Sequence, residues 1–266
     1  MFASGSSGLG VTDMELGISG KVAIVTGGGR GHGESMSLAL AKEGAIVVPA
    51  DVNGLSAENV RKEIEARDGK GMAFAVDITQ ATQVEKMMEE VEKRFGRIDI
   101  LVNNACAPIR RIPFMEMDLS EWLNVINVNL TGTFICSRAA ARVMLRKGKG
   151  RIINISSFAA NLPAAGFVAY GASKAGLEAL SKTMAGELGK HGISTVFVRP
   201  GVIETEFTKP GHQGAVGEKM LSSIPLGRFG TTEELANLIV FLASDAAGYI
   251  NGGPIPIDGG KYVIQF

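Results

Sequence analysis

The chain has 266 residues, enough to bury a large core within one α/β domain. Its 27 basic and 27 acidic residues cancel, which excludes a global field favouring nucleic acid or an anionic membrane, so any anionic ligand must be held locally. No apolar run reaches membrane-spanning length, and Cys106 and Cys136 lack a C-x-x-C or His-rich setting, so no metal site or disulfide framework is expected and a reducing cytoplasm is the implied compartment.

Residues 1–18 carry Ser4-Gly5-Ser6-Ser7-Gly8 and no basic region followed by an apolar stretch; they read as a flexible leader or cloning remnant before a single domain over 19–266. Lys21 to Thr26 predicts a buried strand, Gly27-Gly28-Gly29-Arg30-Gly31-His32-Gly33 a loop, and the residues through Ala41 a helix. Strand, glycine loop and helix N-terminus together make a phosphate site, because glycines admit a pyrophosphate that a Cβ would exclude. A triphosphate P-loop is ruled out, since Glu34 stands where its lysine would be.

Ala45 to Ala50 predicts a second strand that delivers Asp51 to the ribose of an adenosine, where a carboxylate accepts hydroxyl hydrogen bonds and repels a 2′-phosphate. Arg30 pulls the other way by its charge, and Asp51 also suits a turn with Asn53 and Gly54. NAD is favoured over NADP because Asp51 lies at the strand end. Ser56 to Arg67 predicts a helix, Met72 to Val76 a strand ending at Asp77-Ile78, and Thr82 to Phe95 a helix; Asp77 also suits a cap before it. Ile98 to Val102 predicts the fourth strand, followed by Asn103-Asn104-Ala105-Cys106, with Cys106 read as a packing residue rather than a nucleophile.

Arg110-Arg111 fall in an apolar, proline-bearing loop and read as solvated charges, or as an anion clamp if they face inward. Trp122 to Ala141 predicts one or two helices holding Asn127 and Asn129, and asparagine is unfavourable inside a helix. Gly150 to Ile155 predicts the fifth strand, ending at Ser156-Ser157. The helix over Ala172 to Leu188 is preceded by Tyr170, which shares one face with Lys174 four residues on. An ammonium beside a phenol favours the phenolate and makes Tyr170 a candidate general acid/base. Ile193 to Val198 predicts the sixth strand, leading to Arg199-Pro200-Gly201-Val202-Ile203-Glu204-Thr205. Residues 204–228 read as an irregular substrate lid, Thr232 to Ser244 as a helix near a capping box, and Gly252 to Asp258 as a last strand.

Taken together, T-G-x-x-x-G-x-G, N-N-A, Asn129, Ser157 thirteen residues before Tyr170, and Tyr170/Lys174 resemble the short-chain dehydrogenase/reductase family, in order over most of the chain. The resemblance implies a single Rossmann-type domain, a doubly wound, largely parallel sheet with helices on both faces. It implies a catalytic tetrad of Asn129, Ser157, Tyr170 and Lys174. It further implies dinucleotide contacts from Gly27, Arg30, Gly31, His32, Gly33, Asp51, Val52, Asp77, Ile78, Asn103, Ala105, Tyr170, Lys174, Pro200, Gly201, Ile203 and Thr205. Cys106 stands where the family carries glycine, and Cys106, Arg110, Phe158 and Phe207 are the implied substrate-lining residues. The expected activity is NAD(H)-dependent interconversion of a secondary alcohol and a ketone in a homo-oligomer, dimer or tetramer, without nucleic-acid or membrane partners. The competing readings are an NADPH-dependent 3-oxoacyl-thioester reductase, a non-catalytic nicotinamide-binding regulator and, last, a sugar-nucleotide epimerase or dehydratase.

Overall fold

The computed structural model describes residues 15–162, 164–206, 209 and 213–262. Strands and helices alternate: β1 (Val22–Thr26), α1 (Gly31–Lys42), β2 (Ile46–Asp51), α2 (Gly54–Ala66), β3 (Lys70–Gly71), β4 (Phe74–Ala75), α3 (Ala81–Phe95), β5 (Ile100–Asn103) and α4 (Leu119–Ile126). A π-helical segment (Asn127–Gly132) joins α4 to α5 (Thr133–Lys147), and β6 (Gly150–Ile155), α6 (Val168–Gly189), β7 (Ile193–Pro200) and β8 (Ile203–Glu204) follow. The chain continues through α7 (Gly214–Ser222), β9 (Gly230–Thr231), α8 (Thr232–Ala243) and β10 (Gly252–Ile257).

The main sheet runs β10-β7-β6-β5-β1-β2-β3, with β4 also on β2, and every pairing is parallel. A parallel sheet needs helical crossovers and is therefore covered on both faces, which is why β1 is buried at all five positions and apolar from Val22 to Val25 instead of alternating. Successive side chains of β1 serve opposite layers: Ala23 and Val25 meet Met36 of α1 and Leu235 and Ile239 of α8, while Val22 and Ile24 meet Met87 and Val91 of α3 and Met144 of α5. The strand order reverses between β1 and β5, where a crevice opens at the carboxyl ends.

Three expectations change. The strand over Met72 to Val76 is two short pieces, β3 and β4, each pairing β2. The segment expected to be irregular contains α7, and α8 takes Thr231 as its N-cap, with the reciprocal Glu234 bond of a capping box. Leu16 and Ile18, placed in the leader, pack into the core on the α8 side.

At the opposite, amino-terminal end of the sheet, Arg151 is buried without a carboxylate. Its guanidinium donates to the carbonyls of Leu242 (2.5 Å), Ile250 (2.8 Å) and Ala247 (3.1 Å) and to the Ser194 hydroxyl (2.7 Å). The negative end of α8 thus supplies the counter-charge, and burial pulls the group down to about 10, so it is still charged at neutrality. Arg151→Met leaves these carbonyls without their donor and should destabilise the fold by about 3 kcal/mol in urea unfolding.

Candidate active site

The glycine loop is shaped by three close approaches. A Cβ on Gly33 would lie 2.0 Å from the Gly27 carbonyl, and one on Gly28 would lie 2.6 Å from the Val25 carbonyl; Gly27 itself has φ +61°. Gly31, at φ +56°, faces open space, its nearest neighbour being Thr205 Cγ2 at 3.9 Å from a built Cβ. Glycine loop and Thr205 therefore face each other across the cleft. The loop is clamped from β5: the Thr26 hydroxyl accepts the amides of Asn104 (3.1 Å) and Ala105 (3.2 Å), and Asn104 Nδ2 donates to the carbonyls of Thr26 and Gly27, both at 3.1 Å. Thr26 and Asn104 are binding-loop supports that reading the motif alone missed.

Asp51 ends β2, and its carboxylate accepts the Gly29 amide (3.1 Å) and the Asn53 amide (3.0 Å). It thus makes the turn expected with Asn53 and stands beside the glycine loop. Arg30 is exposed as the N-cap of α1, and Val52 is exposed at 77%. His32 Nε2 is buried with no hydrogen-bond partner among the described residues, and burial holds the imidazole below its ordinary value. The open face at Gly31, the free amides of a helix start and this orphaned nitrogen together fit a dinucleotide phosphate group.

Other implied contacts are placed differently. Asn103 turns its amide inward, donating to Ser137 Oγ (2.9 Å) and Asn154 Oδ1 (2.8 Å). Ile78 is buried, with its Cδ1 2.7 Å from a Cβ built on Gly132. Asp77 is not the cap of α3, which is Gln80; its carboxylate instead accepts the Thr79 amide (2.9 Å) and hydroxyl (2.7 Å). Gly201, after Pro200, leaves room for the returning chain, because a Cβ there would stand 2.7 Å from Asp258 Cα. Ile203 is buried in β8. Phe207 lies outside the described residues.

The tetrad residues converge from three elements. Asn129 is fully buried in the π segment, whereas Asn127 is exposed. Its Oδ1 accepts the Ala107 amide (2.9 Å), and its Nδ2 donates to Ser173 Oγ (3.0 Å), so the loop after β5 is tied to α6. Lys174 is buried, with Nζ 2.8 Å from the Ile155 carbonyl and 5.7 Å from the Tyr170 ring centroid. Ser157 Oγ accepts the Ala159 amide (3.2 Å) and stands near enough to the Tyr170 phenol to favour its ionisation, while Ser156 donates to Glu178 Oε1 at 2.8 Å.

Burial pushes the Tyr170 phenol well above its ordinary value, the Cys106 thiol adds to the rise, and the Ser157 hydrogen bond opposes it. Lys174, expected to lower it, is not among the groups that shift it; its Nζ bonds the Ile155 carbonyl and lies 5.7 Å from the ring centroid. Cys106 is exposed, with Sγ 3.3 Å from the Ala107 carbonyl, and it stands close enough to Tyr170 to act on it. Arg110 is exposed, and Arg111 lies 4.6 Å over the Phe167 ring; neither forms an inward clamp.

Beneath the tetrad lies a pair that sequence spacing did not single out. Arg199 donates to both Glu178 oxygens (2.7 and 2.5 Å), with side chains 15% and 7% exposed, and burial is thereby offset on both partners. It joins α6 to the end of β7, and through Ser156 to the end of β6.

Residues 27–261 match the family described as enoyl-(acyl carrier protein) reductase. The chain is 39% identical to D-threitol dehydrogenase of Mycolicibacterium smegmatis, over 95% of this chain and 96% of that protein. It is 40% identical to the 3-oxoacyl-[acyl-carrier-protein] reductase FabG of Thermotoga maritima, over 92% and 99%. A solved chain from Beutenbergia cavernae, assigned as an NAD(P)-dependent gluconate 5-dehydrogenase and holding NADP at low occupancy, superposes with a TM-score of 0.89 at 31% identity, over 94% and 100%.

Removing one partner of a buried pair strands the other charge. Glu178→Gln should therefore destabilise the protein by about 3 kcal/mol, read as a lowered denaturation midpoint; an unchanged midpoint would show that the pair is solvated.

Proposed function

Because this chain belongs to the short-chain dehydrogenase/reductase family and is an NAD(P)-dependent enzyme acting on alcohol and carbonyl groups, we propose that it interconverts a small secondary alcohol and its ketone with NAD(H). The observation that carries this reading is Tyr170, buried beside Ser157 and one helical turn from a Lys174 whose Nζ is seated on the Ile155 carbonyl and lies 5.7 Å from the Tyr170 ring centroid. When bound, the nicotinamide accepts or supplies the hydride.

The chain's own residues handle the oxygen and its proton. Ser157 donates to the substrate oxygen and stabilises the charge that develops there. In oxidation, Tyr170 as phenolate takes the hydroxyl proton; in reduction, the protonated phenol returns it. Asn129 positions this relay by holding Ser173 and the loop at Ala107, and Lys174 anchors α6 to the Ile155 carbonyl. The glycine loop, His32 and the Thr205 side of the cleft would hold the dinucleotide. Asp51 supports NAD over NADP, because a 2′-phosphate would meet its carboxylate. Exposed Leu119, Leu123 and Phe134 on α4 and α5 support a homo-oligomer, and the cytoplasm is the proposed compartment.

The second reading, an NADPH-dependent 3-oxoacyl-thioester reductase, is favoured by the Thermotoga relative and by Arg30 in the glycine loop. A kcat/KM preference for NADPH with acyl thioesters would select it.

Tyr170→Phe should retain dinucleotide binding and lose at least about a thousandfold in turnover, monitored at the reduced-nicotinamide absorbance band. Because burial holds the phenol protonated, kcat/KM for alcohol oxidation should rise about tenfold per pH unit through neutrality, while ketone reduction should not rise. A flat oxidation profile would mean that Tyr170 is not the base. Asp51→Ala should cut the NAD-to-NADP preference about tenfold or more, measured as a ratio of kcat/KM values.

A further inference from the structure

Residues 258–262 fold back over Phe158, the residue after Ser157. After β10 the chain passes Gly201, turns at Gly259 (φ +64°) and Gly260 (φ +83°), and stacks Tyr262 on Phe158, with ring centroids 3.5 Å apart and planes at 18°. Phe158 is the residue after Ser157, and only 7% of it is exposed. Phe158 is thus covered, and of the two stacked rings Tyr262 is the more exposed.

The placement is built from several directions. The Asp258 carboxylate accepts the amides of Gly260 (2.9 Å) and Tyr262 (3.3 Å), so the turn is held by its own first residue. The Gly259 carbonyl accepts the Leu226 amide at 3.1 Å, and Gly201 N donates to the Ile257 carbonyl at 2.8 Å. Gly259 and Gly260 lie so near the lid that built Cβ atoms would come within 2.8 Å of Ile224 Cγ2 and 3.2 Å of Pro225 Cγ. The strap therefore touches the Pro200-Gly201 turn, the lid residues Ile224 to Leu226, and the Ser157-Phe158 corner. An aromatic ring held by such a frame on the residue that follows Ser157 is a fixed wall.

We propose that Tyr262 is a specificity-determining residue, closing the substrate pocket on the Ser157 side and rejecting secondary alcohols with a bulky group there. This rests on the alcohol dehydrogenase reading above.

The test compares wild type, Tyr262→Ala and Tyr262→Phe with NAD and two alcohols of different bulk, 2-propanol and 1-phenylethanol. Tyr262→Ala should raise the kcat/KM ratio of the bulky to the small alcohol about tenfold, with KM for NAD within about twofold, and Tyr262→Phe, which keeps the ring, should restore the wild-type ratio. An unchanged ratio in Tyr262→Ala overturns the proposal. Amide exchange is followed in parallel at Ala160, Asn161 and Leu162, whose turn bonds to Ser157 and Phe158 lie beneath the stack. They should exchange about tenfold faster in Tyr262→Ala; equal exchange shows that the ring does not dock, and sinks the proposal whether or not either alcohol turns over. Absence of Tyr170-dependent turnover in wild type is a failure of the alcohol reading instead, and exchange then decides the strap alone.

Discussion

The structure depends on a row of polar side chains buried where the parallel strands end. Thr26, Asn103 and Asn154 sit in one register line across β1, β5 and β6. Each is almost wholly removed from water, where an unpartnered polar group costs about 1–3 kcal/mol. The row is satisfied largely from within. Asn103 bridges Ser137 and Asn154, Asn154 Nδ2 passes to Ser181 Oγ at 2.8 Å, and Ser181 donates to the Leu177 carbonyl at 2.7 Å. The two middle strands are thereby bonded to the helices that carry the site, α5 and α6, by side chains as well as by packing. One layer nearer solvent, the same logic gives Thr26 to the N-N-A segment and Ser156 to Glu178.

A row of this kind explains how Ser157, Tyr170 and Lys174 are held in one place. Lys174 reaches the Ile155 carbonyl, the last residue of β6, and Ser157 follows two residues later. The same helix carries Tyr170 one turn before Lys174 and Glu178 one turn after it. Glu178 and its Arg199 partner thus fix the rotation of α6 about its axis, and that rotation decides where Tyr170 points. A surface ion pair would do this poorly, since it contributes about 0–1 kcal/mol; a buried bidentate pair has one good geometry.

Much of the fold was legible in the sequence because its signals are local. Apolar runs such as Val22 to Val25 mark strands covered on both faces, and the glycine loop, Asp51, Ser157 and Tyr170/Lys174 lie at spacings set by one turn or one strand end. What was not legible depends on partners far apart in the chain. Asn104 and Thr26 are 78 residues apart, and Phe158 meets Tyr262 from the other end of the domain. No periodicity announces such pairs. The same cause lies behind Phe158 as an expected substrate contact: it follows Ser157 in sequence, but Tyr262 is stacked on its ring. α7 was missed because glycines and a proline surround it, and turn-forming residues beside a short helix outweigh its apolar pattern.

The asparagine in the middle of a helix has its reason in the same geometry. An α-helix would carry the chain from α4 into α5 with every carbonyl engaged, and Asn is a poor residue there. The π-helical stretch at Asn127–Gly132 widens the turn. The Asn129 side chain then faces the Ala107 amide on one side and Ser173 on the other, while Thr133 Oγ1 donates to the Asn129 carbonyl at 2.9 Å. Gly132 completes the stretch because Ile78 leaves no room for a Cβ. A locally unfavourable residue in a locally unfavourable helix is thus stable only as part of the larger network. That network holds the loop after β5 against α6, the helix that carries Tyr170 and Lys174.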